Sequence, residues 1–325
     1  MATLYDSLTR HQVYFEGVKA WFSGDFGDTL TVLNRRVTNI ILSSPQRNFG
    51  DLTAAEYRNL ERRMSRQLDT LVKRSKEVLL SDLKKVSAVD NKVLQDILLS
   101  QKGTRRRMPN NATLWRQVET KVLGATGETM GDMLDKYYAN IKQTMLRELR
   151  KARTDAKSVD EVLDTFKGTK AAAFKDGLLN KFKNQANTVL ATTLQHITSV
   201  SQNYLERIFY ERYRWVAVLD EVTTNICRGR DGKTWAYGKG PLPPAHYNCR
   251  SKIVPEDGDR TNRPASFFEW LRSQPFIVLS DIVGSVAALR IKNGLAKAVE
   301  FPKFMSTKKL PIDQFQDKVP FILAD

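Results

Sequence analysis

The chain has 325 residues, 41% of them hydrophobic, which is enough for two domains that each bury a core. Its 52 Lys and Arg exceed its 36 Asp and Glu by 16, and the excess is spread along the chain, so an acidic partner such as nucleic acid is expected, held by general attraction to phosphate and not by a compact sequence-reading element. No apolar run approaches the roughly 20 residues that span a bilayer, and the start, Met-Ala-Thr-Leu-Tyr-Asp-Ser, lacks a basic region followed by an apolar one; no membrane span and a reducing cytoplasm, which suits two cysteines, are expected.

Residues 1–170 read as helical. Val32, Val37, Ile40, Ile41 and Leu42 follow Gly24 and Gly27 and end before Ser43-Ser44-Pro45, which predicts a first helix of about four turns. Thr53 and Glu56 have the spacing of a capping box. Behind them Tyr57, Leu60, Met64, Leu68, Leu71, Val72, Val78 and Leu79 recur at steps of mostly three and four, so an amphipathic helix is expected to about Leu83. Val93, Leu94, Ile97 and Leu98 mark another helix, with further ones from Leu114 to Val122 and from Met130 to Leu149. Between them Gly103, Pro109, Asn110 and Asn111 predict a loop, and this loop carries the sharpest basic cluster of the chain, Arg105, Arg106 and Arg107. Three arginines can grip phosphates bidentately, or they can be an ordinary solvated loop.

Gly168 closes this half. From about Ala171 one long helix is expected, on which Phe182, Ala186, Val189, Thr193, Ile197, Val200, Tyr204 and Ile208 form an apolar stripe. His196 lies beside the stripe with no ligand chemistry three or four residues away, and is read as a satisfied packing residue.

Residues 213–255 concentrate chemistry that is sparse elsewhere: both cysteines, one of three histidines, two of five tryptophans and four of eleven prolines. The run Trp215 to Leu219, ending at Asp220, suits a buried strand, being short and partly β-branched. Asp231-Gly232 predicts a tight hairpin turn, and Pro241, Pro243 and Pro244 hold the approach to His246 extended. Cys227 thus precedes the hairpin and Cys249 follows it. His246 and Cys249, at His-x-x-Cys spacing, can offer a nitrogen and a sulfur to one tetrahedral ion, with Cys227 as a third ligand and Asp220 or Asp231 as the fourth, a structural zinc site. Two buried reduced thiols or a disulfide are the alternatives. His246 with Asn248 beside a hairpin also suggests a ββα-metal nuclease, but no later histidine supplies its metal partner. No Walker loop, dinucleotide fingerprint, Gly-x-Ser-x-Gly elbow or His-Glu-x-x-His is present, so a non-enzymatic role is expected.

The arrangement Trp215, Asp220, Cys227-Arg228, Asp231-Gly232-Lys233, then Pro243-Pro244-Ala245-His246-Tyr247-Asn248-Cys249-Arg250-Ser251 and Val254-Pro255 resembles the phage Mu protein F family of minor head proteins. The likeness continues through Phe267-Phe268-Glu269-Trp270-Leu271 and Gln274-Pro275, then Ile282-Val283-Gly284, Leu289, Gly294-Leu295, Phe301 and Leu310-Pro311-Ile312-Asp313, and covers roughly residues 185 to 315. Family members often carry a further Cys three residues from the first; here Thr224 and Arg230 stand at those positions. The resemblance implies a structural virion protein active in head morphogenesis at or near the portal vertex. It implies the portal protein, the major capsid or scaffolding protein and packaged double-stranded DNA as partners, a part in genome ejection, and a place in the capsid after assembly in the host cytoplasm. Some relatives fuse a nuclease or toxin-like domain to this part, so a virion-carried enzyme is the alternative; beyond the match only residues 316–325 remain, leaving little room for one.

The expected architecture is α+β and mostly α. A helical domain over 1–170, for portal or DNA contact, precedes a domain over 171–325 in which the long helix carries the 213–255 module and short C-terminal helices follow.

Overall fold

The computed structural model describes residues 3–103, 106–218, 220, 222–256, 267–301 and 308–325, and is mostly α with one small antiparallel sheet. Helix α1 (Leu4–Leu42) is far longer than the four turns expected and continues through Gly24 and Gly27. Its first half buries Leu4, Leu8, His11, Phe15, Val18 and Phe22 at steps of three and four. Periodicity missed it because Ser7, Thr9, Arg10 and Gln12 between them are buried too, which erases the contrast between faces. Helix α2 (Ala54–Lys102) fuses the two helices expected over 57–98. Its start is the predicted box: Thr53 N donates to Glu56 Oε2 at 2.8 Å and Glu56 N to Thr53 Oγ1 at 3.2 Å.

Helix α3 (Asn111–Thr120) is capped by the Asn110 side chain, and α4 (Met130–Thr154) covers the helix expected from Met130 to Leu149. Helix α5 (Val159–Lys167), unforeseen, starts on a second capping box formed by Ser158 and Glu161. Helix α6 (Leu178–Glu206) leads into strand β1 (Arg212–Val216), α7 (Asn225–Arg230), β2 (Thr234–Ala236) and β3 (Lys252–Pro255). Helices α8 (Phe267–Ser273), α9 (Phe276–Val283), α10 (Ser285–Lys292) and α11 (Val319–Ile322) follow, the short C-terminal helices expected, with Gly284 at φ 87° separating α9 from α10.

Two compact units emerge, and neither is continuous in sequence: residues 1–22, 83–130 and 191–325 form one, and 23–82 with 131–190 the other. Residue 170, the boundary expected from the sequence, falls inside the second. That unit buries Met64, Leu68, Met133, Ile141 and Met145, and pairs surface bases with acids, Lys142 with Asp69 at 2.5 Å and Arg150 with Glu61 at 2.7 Å.

The first unit is built around residues 191–206 of α6, which are buried on almost every side. Such a helix needs its polar groups satisfied by neighbours. His196 Nε2 lies 3.0 Å from the Val118 carbonyl, the packing role expected for it, and burial lowers its pKa to about 4. The sheet lies against this helix in the order β2-β1-β3, antiparallel throughout, with Tyr213 opposite Trp235 and Trp215 opposite Ile253. Strand β3 is an edge, and its free carbonyls would be costly in a buried place. Gln195 Nε2 donates to Ser251 O at 3.0 Å and Gln202 Nε2 to Ile253 O at 2.8 Å, so two glutamines of α6 close that edge.

Candidate metal centre

The module begins with alternation in β1: Tyr213 and Trp215 point into the core, while Arg212 and Arg214 point out and each reach Glu256 at 3.4 Å. After β1 the chain does not form the expected two-residue hairpin. It makes helix α7 instead, which places Cys227 on a buried helical turn, and Asp231-Gly232 ends that helix and starts β2. Asp231 Oδ1 accepts from Ala217 N at 2.8 Å and Gly232 N donates to Trp215 O at 2.9 Å, so the pair fastens α7 back onto β1. Gly232 takes φ +75°, where a side chain would strain the backbone.

Residues 246–249 form a tight turn: Cys249 N donates to His246 O at 3.2 Å, and Asn248 sits at φ 56°, a conformation Asn tolerates better than most residues. The Asn248 amide donates to Thr192 Oγ1 at 3.0 Å, which fixes the turn on α6. Asn248 is therefore engaged in turn geometry, and the metal-binding groups that stand with His246 are the sulfurs of Cys227 and Cys249.

This turn brings His246 and Cys249 to Cys227. The two sulfurs are 3.7 Å apart, His246 Nε2 is 3.2 Å from Cys227 Sγ, and all three donor atoms lie within 4.8 Å of one another. Both cysteines are free thiols and buried, and they share a core with Trp215, Ala217 and Ala245, against which Trp235 packs. The three residues singled out from spacing thus converge, and they can hold a metal ion. The fourth ligand expected does not: Asp220 lies outside the cluster because Arg250 takes its carboxylate, with bonds of 2.6 and 2.8 Å. Asp231 is engaged by Ala217.

The electrostatics favour one anionic sulfur. Hydrogen bonding from Cys227, with His246 adding to it, draws Cys249 well below the ordinary thiol range, while the same bond and burial push Cys227 up. The hydrogen bond with Cys249 raises His246. His246 Nδ1 lies 2.8 Å from the Tyr247 carbonyl, so a proton on Nδ1 leaves Nε2 bare toward the sulfurs, the tautomer a metal ligand needs. Tetrahedral coordination by sulfur at ~2.3 Å requires ligand atoms about 3.8 Å apart, close to the separation of the two sulfurs here.

Of the arginine triplet, Arg106 and Arg107 are exposed and Arg105 lies outside the described residues. Away from the centre, the sequence reading missed a buried carboxylic acid at the end of α6. Glu206, the last residue of α6, accepts from Gln202 Nε2 at 2.6 Å and from Tyr237 Oη at 2.8 Å, and burial pushes its pKa up to about 8. Spacing gave no signal for it, because Glu206 lies off the stripe that runs through Val200, Tyr204 and Ile208. No helix among the described residues is long and apolar enough to cross a membrane. No family model matches the chain, and neither does a curated protein or a solved structure.

Proposed function

We propose that this chain is a structural minor head protein of a tailed phage, assembled at or near the portal vertex and in contact with packaged DNA. The observation that carries the reading is where the residues of the Mu F-like signature go. Trp215, Asp220, Cys227, Asp231, Gly232, His246, Cys249 and Arg250 all spend their side chains or backbone on holding one module together. A signature used up in scaffolding is what an assembly protein needs, and the +16 charge suits a place beside polyphosphate.

Within that reading the metal is zinc and its work is structural. Cys227, Cys249 and His246 would hold it, a borderline-soft ion that takes S and N ligands. Bound there, the ion would join α7 to the 246–249 turn. A domain with so short a sheet gains folding stability from such a cross-link.

The test is co-expression of the full chain with the portal protein of the same phage genome, together with mass spectrometry of purified heads. A stable complex, and the chain present in the heads, are expected. A chain absent from heads and without affinity for the portal would overturn the assembly role.

A further inference from the structure

Where α2 ends and α6 hands over to β1, the first unit crowds cations against aromatic rings. Lys102 Nζ sits 4.2 Å from the centre of the Tyr210 ring, the Arg106 guanidinium 5.5 Å from that of Phe209, and the Arg207 guanidinium 3.5 Å from that of Tyr204. Arg106 Nη1 also donates to the Ile208 carbonyl at 2.6 Å, which ties the loop after α2 to the connector before β1. Lys102, Arg106, Arg107 and Arg207 are all exposed.

The charge here is not neutralised. In the other unit Lys76, Lys142 and Arg150 each meet a carboxylate, whereas none of these four cations has an ion pair among the described residues. Two acids lie in the segment 203–212. Glu211 is exposed but pairs with none of the four, and Glu206 is turned inward to Gln202 and Tyr237. Burial favours the neutral form of Glu206, so it offsets little of the surface charge.

We infer that Lys102, Arg106, Arg107 and Arg207 form a contact surface for the phosphate backbone of duplex DNA, with Tyr204, Phe209 and Tyr210 as the platform that holds the cations in place. The inference rests on the DNA-contacting part of the function proposed above and gives that contact a location. Long basic side chains lose rotamer freedom when they grip a phosphate. Cation–π stacking on fixed rings takes much of that loss before the ligand arrives and leaves the outer N–H groups free to donate. Contacts to phosphate carry no sequence information, so the contact is independent of sequence.

Fluorescence anisotropy of the full chain with a labelled mixed-sequence duplex, between about 50 and 200 mM salt, tests it. Replacing Lys102, Arg106, Arg107 and Arg207 together by Gln should flatten the log–log salt slope by up to about 3.6, at ~0.9 for each phosphate no longer gripped. The control removes the same charge from exposed residues of the other unit, Arg63, Arg66, Lys73 and Arg74 to Gln, and should change the slope by less than about one. Equal effects of the two variants would overturn the patch while leaving DNA binding intact. A wild-type chain that does not bind duplex at all would instead remove the DNA-contacting reading itself, and binding only to vesicles of anionic lipid would have the same force. A second variant, Tyr204, Phe209 and Tyr210 to Leu, keeps every charge and should weaken binding several-fold; unchanged affinity in a variant with a native melting curve would overturn the platform.

Discussion

The Asp220 carboxylate and the Arg250 guanidinium meet through two hydrogen bonds, of 2.6 and 2.8 Å, across 30 positions of chain. Arg250 follows Cys249 directly, so this pair sets where the second sulfur stands. The Asp220 side chain is 2% exposed, which makes the pair costly to break from one side. Arg250→Ala leaves a buried carboxylate without its cation and should destabilise the first unit by about 3–5 kcal/mol. Arg250→Lys, which keeps the charge but not the fork, should recover only part of that. Urea unfolding of the two variants checks both values.

Metal content separates a zinc staple from a plain thiol core. Protein purified without chelator should carry about one zinc per chain by elemental analysis, from the ligand set of two sulfurs and one nitrogen. Cys249→Ser should abolish that zinc and lower the melting temperature, and stripping wild type with a chelator should lower it similarly. In a metal-free core the same substitution costs only about 1–3 kcal/mol as a buried polar replacement, and chelator changes nothing.

Two groups of α6 bend the pH profile in opposite directions. Glu206 has its pKa raised to about 8, chiefly by burial, with Gln202, Tyr237 and Lys252 opposing the shift. The folded chain therefore holds a proton that the unfolded chain gives up near ordinary carboxyl values, and stability falls as pH rises toward 8. His196 has its pKa lowered to about 4 by burial, so the unfolded chain takes the proton first, and stability falls as pH drops from 6.5 toward 4. Between about 6.5 and 8 only Glu206 contributes of the two, and thermal stability should decline there. Glu206→Gln, a neutral near-isostere, should remove that decline and stabilise the chain above pH 8. A melting-temperature series at half-unit pH steps would expose an unchanged slope, which would count against a buried neutral acid.

Gly240 is required by contact. A Cβ there would overlap the Tyr213 hydroxyl and the Cβ and ring of Trp235. The Tyr213 hydroxyl donates to Pro241 O at 2.7 Å, so it cannot turn aside without breaking that bond. Gly240→Ala should cost about 1–3 kcal/mol through overpacking and raise Trp235 fluorescence sensitivity to added quencher. Gly229→Ala, in open space nearby, serves as the neutral comparison.

What the sequence determined by itself was local. The Thr53–Glu56 box, the stripes of α2 and α6, and the His-x-x-Cys turn involve partners a few residues apart, and spacing alone places them on one face or one loop. The convergence of Cys227 on that turn could be read as well, because few other residues in the chain offer the same chemistry. Tertiary structure alone decided the rest. Arg250 takes Asp220 from the metal, Gln195 and Gln202 close the edge of β3, and Glu206 finds Tyr237, all through partners 30 or more positions apart. It also decided that α1 runs unbroken past Gly24 and Gly27 and that α2 is one helix, because packing of a whole face outweighs the ~1 kcal/mol penalty of a glycine or a weak stretch of pattern. The cation platform was half visible as an arginine triplet, but its rings arrive from a segment about a hundred residues later, where no local pattern announces them.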